Sequence, residues 1–280
     1  YLTDTLTDKA ATFIAAQSGS TQPFFMWLAY VAPHHSNVNK IVEPAARHAG
    51  LFTGLPLPQP PSFNEADISD KPGFLQWSLM TPADIGDITN QYRSRVRSLQ
   101  AVDEGVEQIV NALSSAGKLS NTIVIFTSDN GFYNGEHRIP GAKNGYYEPS
   151  IRVPLMMRGP GVPVNQTRPG LVSNIDLAAT IVDLADATSG RPLDGKSIMP
   201  LTTSASTAWR TALFIDGHSR EPGGGGAESA LINAIRSNRY LYVEHEAGAR
   251  EFYDLHLDPH ELTNNFADPT YTIVRANLET

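Results

Sequence analysis

The stretch Asn121-Thr122-Ile123-Val124-Ile125-Phe126-Thr127-Ser128-Asp129-Asn130-Gly131 decides how this chain is read. A β-rich apolar run ends abruptly in an acid, an amide and a glycine, the pattern of a strand that delivers metal ligands. Asp129 offers a carboxylate and Asn130 a carbonyl oxygen, both hard donors suited to Ca²⁺ or Mg²⁺. Gly131 lets the backbone turn sharply out of the strand. The same triplet is also ordinary turn chemistry, so the strand alone leaves both readings open.

Working outward, Ile88 to Leu113 carries an apolar stripe that includes Tyr92, Val96, Leu99, Val102 and Val106, and predicts a long helix stopped at Gly117. Leu6, Ala10, Phe13 and Ile14 predict a helix over 3–16, with Thr3 or Thr7 as its cap. The continuous apolar run Phe24 to Val31 predicts a strand buried on both faces of a mostly parallel sheet, with Pro33 and His34 at its C-terminal edge. Residues 36–87 predict an irregular excursion over the surface, a substrate-facing insertion in preference to a poorly ordered stretch. Leu171 to Ala185 predicts another amphipathic helix, with Asp176 at the positive end of its dipole. From about Thr203 the texture changes to short β-like runs, 211–215, 230–235 and 240–243, which predict a small antiparallel sheet. Between them Gly223 to Gly226 predicts a disordered loop or a flap.

With 280 residues and 41% hydrophobic side chains the chain is long enough for a core. Twenty-one basic against 29 acidic residues leave a net charge of −8. That balance argues against a general electrostatic grip on nucleic acid or anionic membrane. No stretch approaches the ~20 apolar residues of a membrane span. Cysteine is absent, which excludes disulfides and thiolate metal sites without naming a compartment. Asn165-Gln166-Thr167 is a glycosylation sequon compatible with secretion.

Downstream of the metal-type strand come GEH (135–137), Lys143, YE (147–148), RVPL (152–155) and RGPG (158–161). In that order they resemble the type I, formylglycine-dependent sulfatases of the alkaline-phosphatase superfamily, closest to the N-acetylglucosamine-6-sulfatase and arylsulfatase branch. YLTD (1–4), QPFFMWLAYVAPHH (22–35), YRSRVRSLQAVDEGV (92–106), NIDLAATIVDLA (174–185), LDGKSIMPL (193–201) and EFYDLHLDPHELTNN (251–265) extend the resemblance over nearly the whole chain. It implies an α/β, alkaline-phosphatase-like sheet flanked by helices over 1–203 and a small α+β subdomain over 204–280. It also implies hydrolysis of sulfate esters, on a sulfated sugar or an aryl sulfate.

Residue by residue, the resemblance makes Asp129 and Asn130 metal ligands, for Ca²⁺ or Mg²⁺, and sets Lys143 on the sulfate oxygens. His34 would protonate the leaving alcohol, with His35 as its rival because the family often shows His-x-Pro where this chain has His34-His35-Ser36. His137 would touch substrate or sit satisfied in its loop. Glu148 and Arg152 read as a structural ion pair, and His218 as a possible pocket residue. The C/S-x-P-x-R nucleophile motif and its upstream aspartates have no counterpart in this sequence. The chain is therefore expected to be a C-terminal half, inactive without the N-terminal half of the sulfatase domain. Two alternatives stand beside this: a phosphate or phosphonate ester hydrolase of the same superfamily, and a non-catalytic protein that binds sulfated glycans or partners a split enzyme. Family resemblance is compatible with a secreted, periplasmic or lysosome-like compartment and assigns none.

Overall fold

The computed structural model describes residues 1–36, 41–143, 145–204, 207–218, 231–246 and 248–279. The chain divides into two compact units, Tyr1–Pro58 with Thr81–Val124, and Gln59–Met80 with Ile125–Thr280.

Two helices build the first unit, α1 (Leu2–Ala16) and α2 (Pro82–Ser115). The buried face of α1 is Thr3, Thr7, Ala10 and Ile14, a helical stripe that packs on α2. Neither threonine caps the helix, which starts one residue earlier than expected. Thr7 Oγ1 instead bonds the Thr3 carbonyl at 2.9 Å and the Tyr30 hydroxyl at 2.8 Å. Opposite them lies Gly105, where a Cβ would stand 2.6 Å from Thr7 Oγ1 and 2.7 Å from Tyr30 Oη, so glycine permits the close approach. The long helix begins at Pro82 rather than Ile88 because Thr81 and Asp84 form a capping box with proline in the first turn. It ends as expected: Gly117 takes φ +69°, and the Lys118 N–H closes on the Leu113 carbonyl at 2.8 Å. Arg47 straps the unit by bridging Asp4 and Glu104, and the buried His48 donates to Glu104 at 2.7 Å.

The strand expected over 24–31 is not formed. Its backbone is extended and alternates half-buried with exposed side chains, yet it enters no sheet among the described residues. Phe25, Trp27 and Val31 are 63%, 85% and 51% exposed. A both-faces-buried strand needs neighbours on either side, and a continuous apolar run gives the propensity but cannot supply them.

The second unit is entered through β1 (Val124–Thr127), which pairs with β2 (Leu155–Arg158) in a two-stranded sheet. Between them lies the single turn α3 (Glu148–Ile151), and after them α4 (Ile175–Leu184) and α5 (Met199–Thr203). The expected antiparallel sheet follows as β3 (Ala212–His218), β4 (Leu231–Ser237), β5 (Tyr240–His245) and β6 (Arg250–Asp254), in that order, before the short helix α6 (Thr272–Leu278). The fourth strand, which the short β-like runs do not include, overlaps the start of the EFYDLHLDPHELTNN motif. Its register with β5 sets Val243 opposite Glu251 and Tyr242 opposite Phe252. Leu241, Val243, Phe252 and Tyr253 are fully buried and join Tyr133, Tyr146 and Tyr147 in or beside one core. Gly223–Gly226 lie outside the described residues, and so does the side chain of His218. Among the described residues no helix is long and apolar enough to cross a membrane.

Asp176 shows how α4 is anchored. Its fully buried carboxylate accepts the Ser173 and Lys196 backbone N–H groups, each at 2.8 Å, and both terminal nitrogens of Arg210. Burial pushes its pKa up, but Arg210 and the two N–H donors outweigh that and leave it below the ordinary carboxylate value. Replacing Asp176 with Asn should therefore destabilise the fold by about 3–5 kcal/mol at neutral pH, because Arg210 is left buried without its counter-charge. In urea titrations the wild-type advantage should be full above ~pH 4 and fade as pH falls through the depressed folded value.

Candidate active site

At the end of β1 the chain presents its oxygen donors in the second unit. Asp129 is exposed and Asn130 half-buried. The Asn130 side-chain N–H₂ donates to the Gly131 carbonyl at 2.7 Å, and its Oδ1 accepts no hydrogen bond among the described residues. Ser128 Oγ donates to the Asn130 carbonyl at 3.0 Å and approaches Asp129 Oδ1 only to 3.5 Å, so the Asp129 carboxylate keeps most of its lone pairs free. From the start of α4, Asn174 Nδ2 donates to the Asp129 carbonyl at 3.2 Å and pins the turn. Gly131 is required by crowding. Its N–H meets the Ser150 carbonyl at 2.7 Å, and a Cβ would stand 2.1 Å from the Pro149 carbonyl oxygen.

Lys143 lies on the connection between this turn and α3, half-buried, and its ammonium has no hydrogen-bond or ion-pair partner among the described residues. The flanking chain is held firmly. Tyr133, Tyr146 and Tyr147 are buried on either side of it, and the hydroxyls of Tyr146, Tyr147 and Tyr253 all donate to one buried carboxylate, Glu251. His245 Nε2 completes the set at 2.8 Å. Desolvation raises the Glu251 pKa, but His245 and the three phenols more than offset it, and the carboxylate stays ionised. The same burial and the Glu251 charge push the tyrosines well above their ordinary value. Sequence reading missed Glu251. The clue was an acid inside the otherwise apolar strand EFY, on the face that Tyr253 shares two residues on.

His137 is 2% exposed and sits with Arg138 in consecutive left-handed conformations, φ +52° and +62°. Its Nδ1 pairs with Glu65 at 2.7 Å and its ring lies 4.3 Å from that of Tyr147, while Nε2 is buried without a partner among the described residues. Its partner is thus a carboxylate 72 residues away rather than its own loop. Glu148 and Arg152 do face each other, at 3.8 Å, but the closer partner of Glu148 is Arg236 at 2.7 Å. The Glu148 N–H donates to the Glu261 carboxyl, whose oxygens stand 3.1 and 3.2 Å away. Burial and the Glu148 charge raise the Glu261 pKa well above the ordinary range.

In the first unit, His34 is exposed after the extended segment. Its Nδ1 donates to the His35 carbonyl at 2.8 Å, which leaves Nε2 without a hydrogen bond among the described residues. His35 is half-buried, its Nδ1 spent on the Ser36 carbonyl at 3.0 Å, and the two rings tilt against each other at 4.4 Å.

The Asp129 carboxylate and the Asn130 amide oxygen are hard donors of the kind a divalent cation takes as part of a larger ligand set, whereas the Lys143 ammonium is a cation itself and ligates none. Ca²⁺ takes six to eight oxygens, and among the described residues no cluster of three or more His, Asp or Glu side chains is able to hold a metal.

Residues 1–187 match the sulfatase family, and residues 135–280 match the family described as N-sulphoglucosamine sulphohydrolase, C-terminal. The chain belongs to the sulfatase family. It is 35% identical over 220 residues to N-acetylglucosamine-6-sulfatase of Bos taurus, covering 77% of this chain and 38% of that protein. It is 32% identical to an arylsulfatase of Volvox carteri across 100% of this chain and 50% of that protein. The chain thus spans half or less of the length of these two sulfatases. Among solved structures, one described as a complex with its substrate D-glucosamine-2-N,6-O-disulfate superposes with a TM-score of 0.80 at 23% identity, over 100% of this chain and 68% of that one. A phosphonate monoester hydrolase from Silicibacter pomeroyi superposes at 0.79 with 23% identity, over 99% and 58%. These likenesses bear out the α/β, alkaline-phosphatase-like fold.

Two outcomes follow for the sulfatase chain. Gly131→Ala should lose about 1–3 kcal/mol in chemical denaturation because the Pro149 carbonyl has to move. Gly54→Ala, with nothing near its Cβ, should stay within about 0.5 kcal/mol of wild type. For Glu261, whose folded pKa is raised, the carboxyl's contribution is present below the unfolded value and lost as pH rises through the folded one. Glu261→Gln removes that ionisation and should flatten the fall in stability on the alkaline side.

Proposed function

We propose that this chain is the C-terminal part of a metal-dependent sulfatase that hydrolyses sulfate esters of amino sugars or related sulfated small molecules. The observation that carries the reading is that the Asp129 carboxylate is bonded only weakly, by Ser128 at 3.5 Å, and Asn130 Oδ1 not at all among the described residues, in the same unit in which the Lys143 ammonium has no partner among them. Asp129 and Asn130 would hold part of the coordination shell of a divalent cation, for which Ca²⁺ suits the hard oxygen donors. Bound there, such a cation withdraws electron density from sulfate oxygens. Lys143 adds a fixed positive charge that stabilises the charge developing as the S–O bond breaks. His34, in the first unit, is by family resemblance the candidate proton donor to a leaving alcohol, with Nδ1 held on the His35 carbonyl and Nε2 as the nitrogen that would serve. His137, buried against Glu65 and Tyr147, acts by holding the loop, and His35 by orienting His34.

The nucleophile belongs, on this reading, to the N-terminal half of the sulfatase domain. The exposure of Phe25, Trp27 and Val31 along one side of segment 24–31 supports a neighbour that packs there. The glucosamine disulfate bound by the similar structure supports the substrate class. A phosphonate monoester hydrolase is the second reading, favoured by the superposition with the Silicibacter pomeroyi enzyme. Both esters present tetrahedral oxyanions to the same donors.

The test is turnover of glucosamine 6-sulfate and of a phenyl phosphonate ester by the natural polypeptide that contains this chain. Sulfate release that stops on chelation and returns with Ca²⁺ is expected. Lys143→Ala should lower kcat by about 10²–10³-fold, in line with the loss of one charge-stabilising donor. The isolated 280-residue chain should release none. Unchanged turnover in Lys143→Ala, or chelator-sensitive turnover by the isolated chain, overturns the reading, and preference for the phosphonate ester selects the second one.

A further inference from the structure

A cavity of about 330 Å³ opens in the second unit where α3, the β4–β5 turn and the segment after β6 meet. Its charged and polar lining is Glu148, Arg152, Arg236, Asn238, Arg239 and His256. Three guanidiniums therefore face one lining carboxylate, in a protein whose net charge is −8. The bonding around them shows which donors are spent. Arg236 gives Nε to Glu148 at 2.7 Å and one terminal nitrogen to the Ser237 carbonyl, leaving its other terminal N–H₂ free. Arg239 is fixed by two parallel bonds to Asp254, 2.8 Å from Nε and 2.6 Å from Nη2, which leaves Nη1 unused. Arg152 is 81% exposed, stands 3.8 Å from Glu148, and makes no hydrogen bond to described residues. The side chains of Asn238 and His256 likewise donate to none.

Two carboxylates thus serve as struts that hold Arg236 and Arg239 in place, and one positive charge remains in excess. Glu148 is itself fixed from below, since its backbone N–H is tied to Glu261. Guanidinium forks held in place are the groups that match the geometry of a sulfate or phosphate oxyanion. The volume lies at the small end of ligand sites. We propose that this cavity is an oxyanion-binding site that takes a sulfate group, either free sulfate or a sulfate ester on a glycan. It does not depend on the catalytic reading, because binding here is read without turnover and without metal.

Calorimetric titration of the 280-residue chain carrying Lys143→Ala, with EDTA present, isolates this cavity from the Asp129 region. Saturable binding of sodium sulfate over sodium chloride at matched ionic strength is expected, weakened at least tenfold by Arg152→Gln and again by His256→Ala, both of which leave the struts intact. Glucosamine 6-sulfate binding tighter than inorganic sulfate assigns the site to an ester on a glycan, and the reverse assigns it to the free anion. No sulfate binding in the Lys143→Ala chain, or equal affinity with and without Arg152, overturns the proposal. Absence of turnover by the unmutated natural polypeptide, with sulfate binding at this cavity retained, would fault the catalytic reading alone.

Discussion

A fully buried negative charge, that of Glu251, ties the antiparallel sheet of the second unit to the loop before α3. Glu251 has no solvent exposure, and an ionised carboxylate in that position is tolerable only if its oxygens are saturated. Three tyrosine hydroxyls and one imidazole do this, and they come from different parts of the chain: Tyr146 and Tyr147 from the connection carrying Lys143, His245 from the end of β5, and Tyr253 from β6 itself. The bond set joins the antiparallel sheet to the loop that presents the candidate chemistry. Removing one phenol strands part of the charge, so the network locks as a whole. A second layer sits against it. Tyr147 packs on His137, His137 pairs with Glu65, and the buried Lys71 ammonium stands 4.0 Å from Glu65 and over the Tyr253 ring.

This explains why a loop of irregular backbone holds its shape. Between β1 and α3 the described residues form no helix or strand to fix position, and the sequence there is rich in residues with left-handed φ, among them Gly135, His137 and Arg138. Gly135 has a second constraint, since a Cβ there would stand 2.6 Å from the Phe63 ring. Arg138 contributes by donating to the Glu65, Ala66 and Trp77 carbonyls, tying the turn to the segment 59–80. Rigidity is therefore supplied by side chains reaching across sequence separations of 60 residues or more, and Lys143 inherits it from its neighbours rather than from bonds of its own.

What sequence alone conveyed and what it did not divide along the same line. The helices were legible because their information is local: a 3.6-residue stripe, a Thr81–Asp84 box and a Gly117 stop are complete within a few residues. The Asp129-Asn130-Gly131 turn was legible for the same reason, although its glycine answers to the Pro149 carbonyl and not to a special φ. Non-local facts were not legible. Nothing in GEH announces that His137 pairs with Glu65, and nothing near Asp176 announces Arg210, 34 residues on. The run 24–31 belongs with these, because apolar content fixes its preference for extended backbone while a strand exists only through its neighbours.

The contrast between Glu251 and the Asp129-Asn130 pair separates structural from chemical groups in this chain. Both are polar groups set among apolar strands. Around Glu251 every oxygen is spent on a donor, burial is complete, and the charge cannot respond to a ligand. At the end of β1 the bonds run the other way: Asn174 and Ser128 take backbone carbonyls, the Asn130 amide takes the Gly131 carbonyl, and the side-chain oxygens are left over. A fold that merely needed a turn there would gain by satisfying those oxygens, since each unspent acceptor forgoes a bond worth about 1 kcal/mol. Holding the turn by its backbone while leaving its acceptors free suits the proposed metal role, in which those oxygens are given to a cation of high charge density, and that asymmetry, rather than the motif itself, is what supports the proposal.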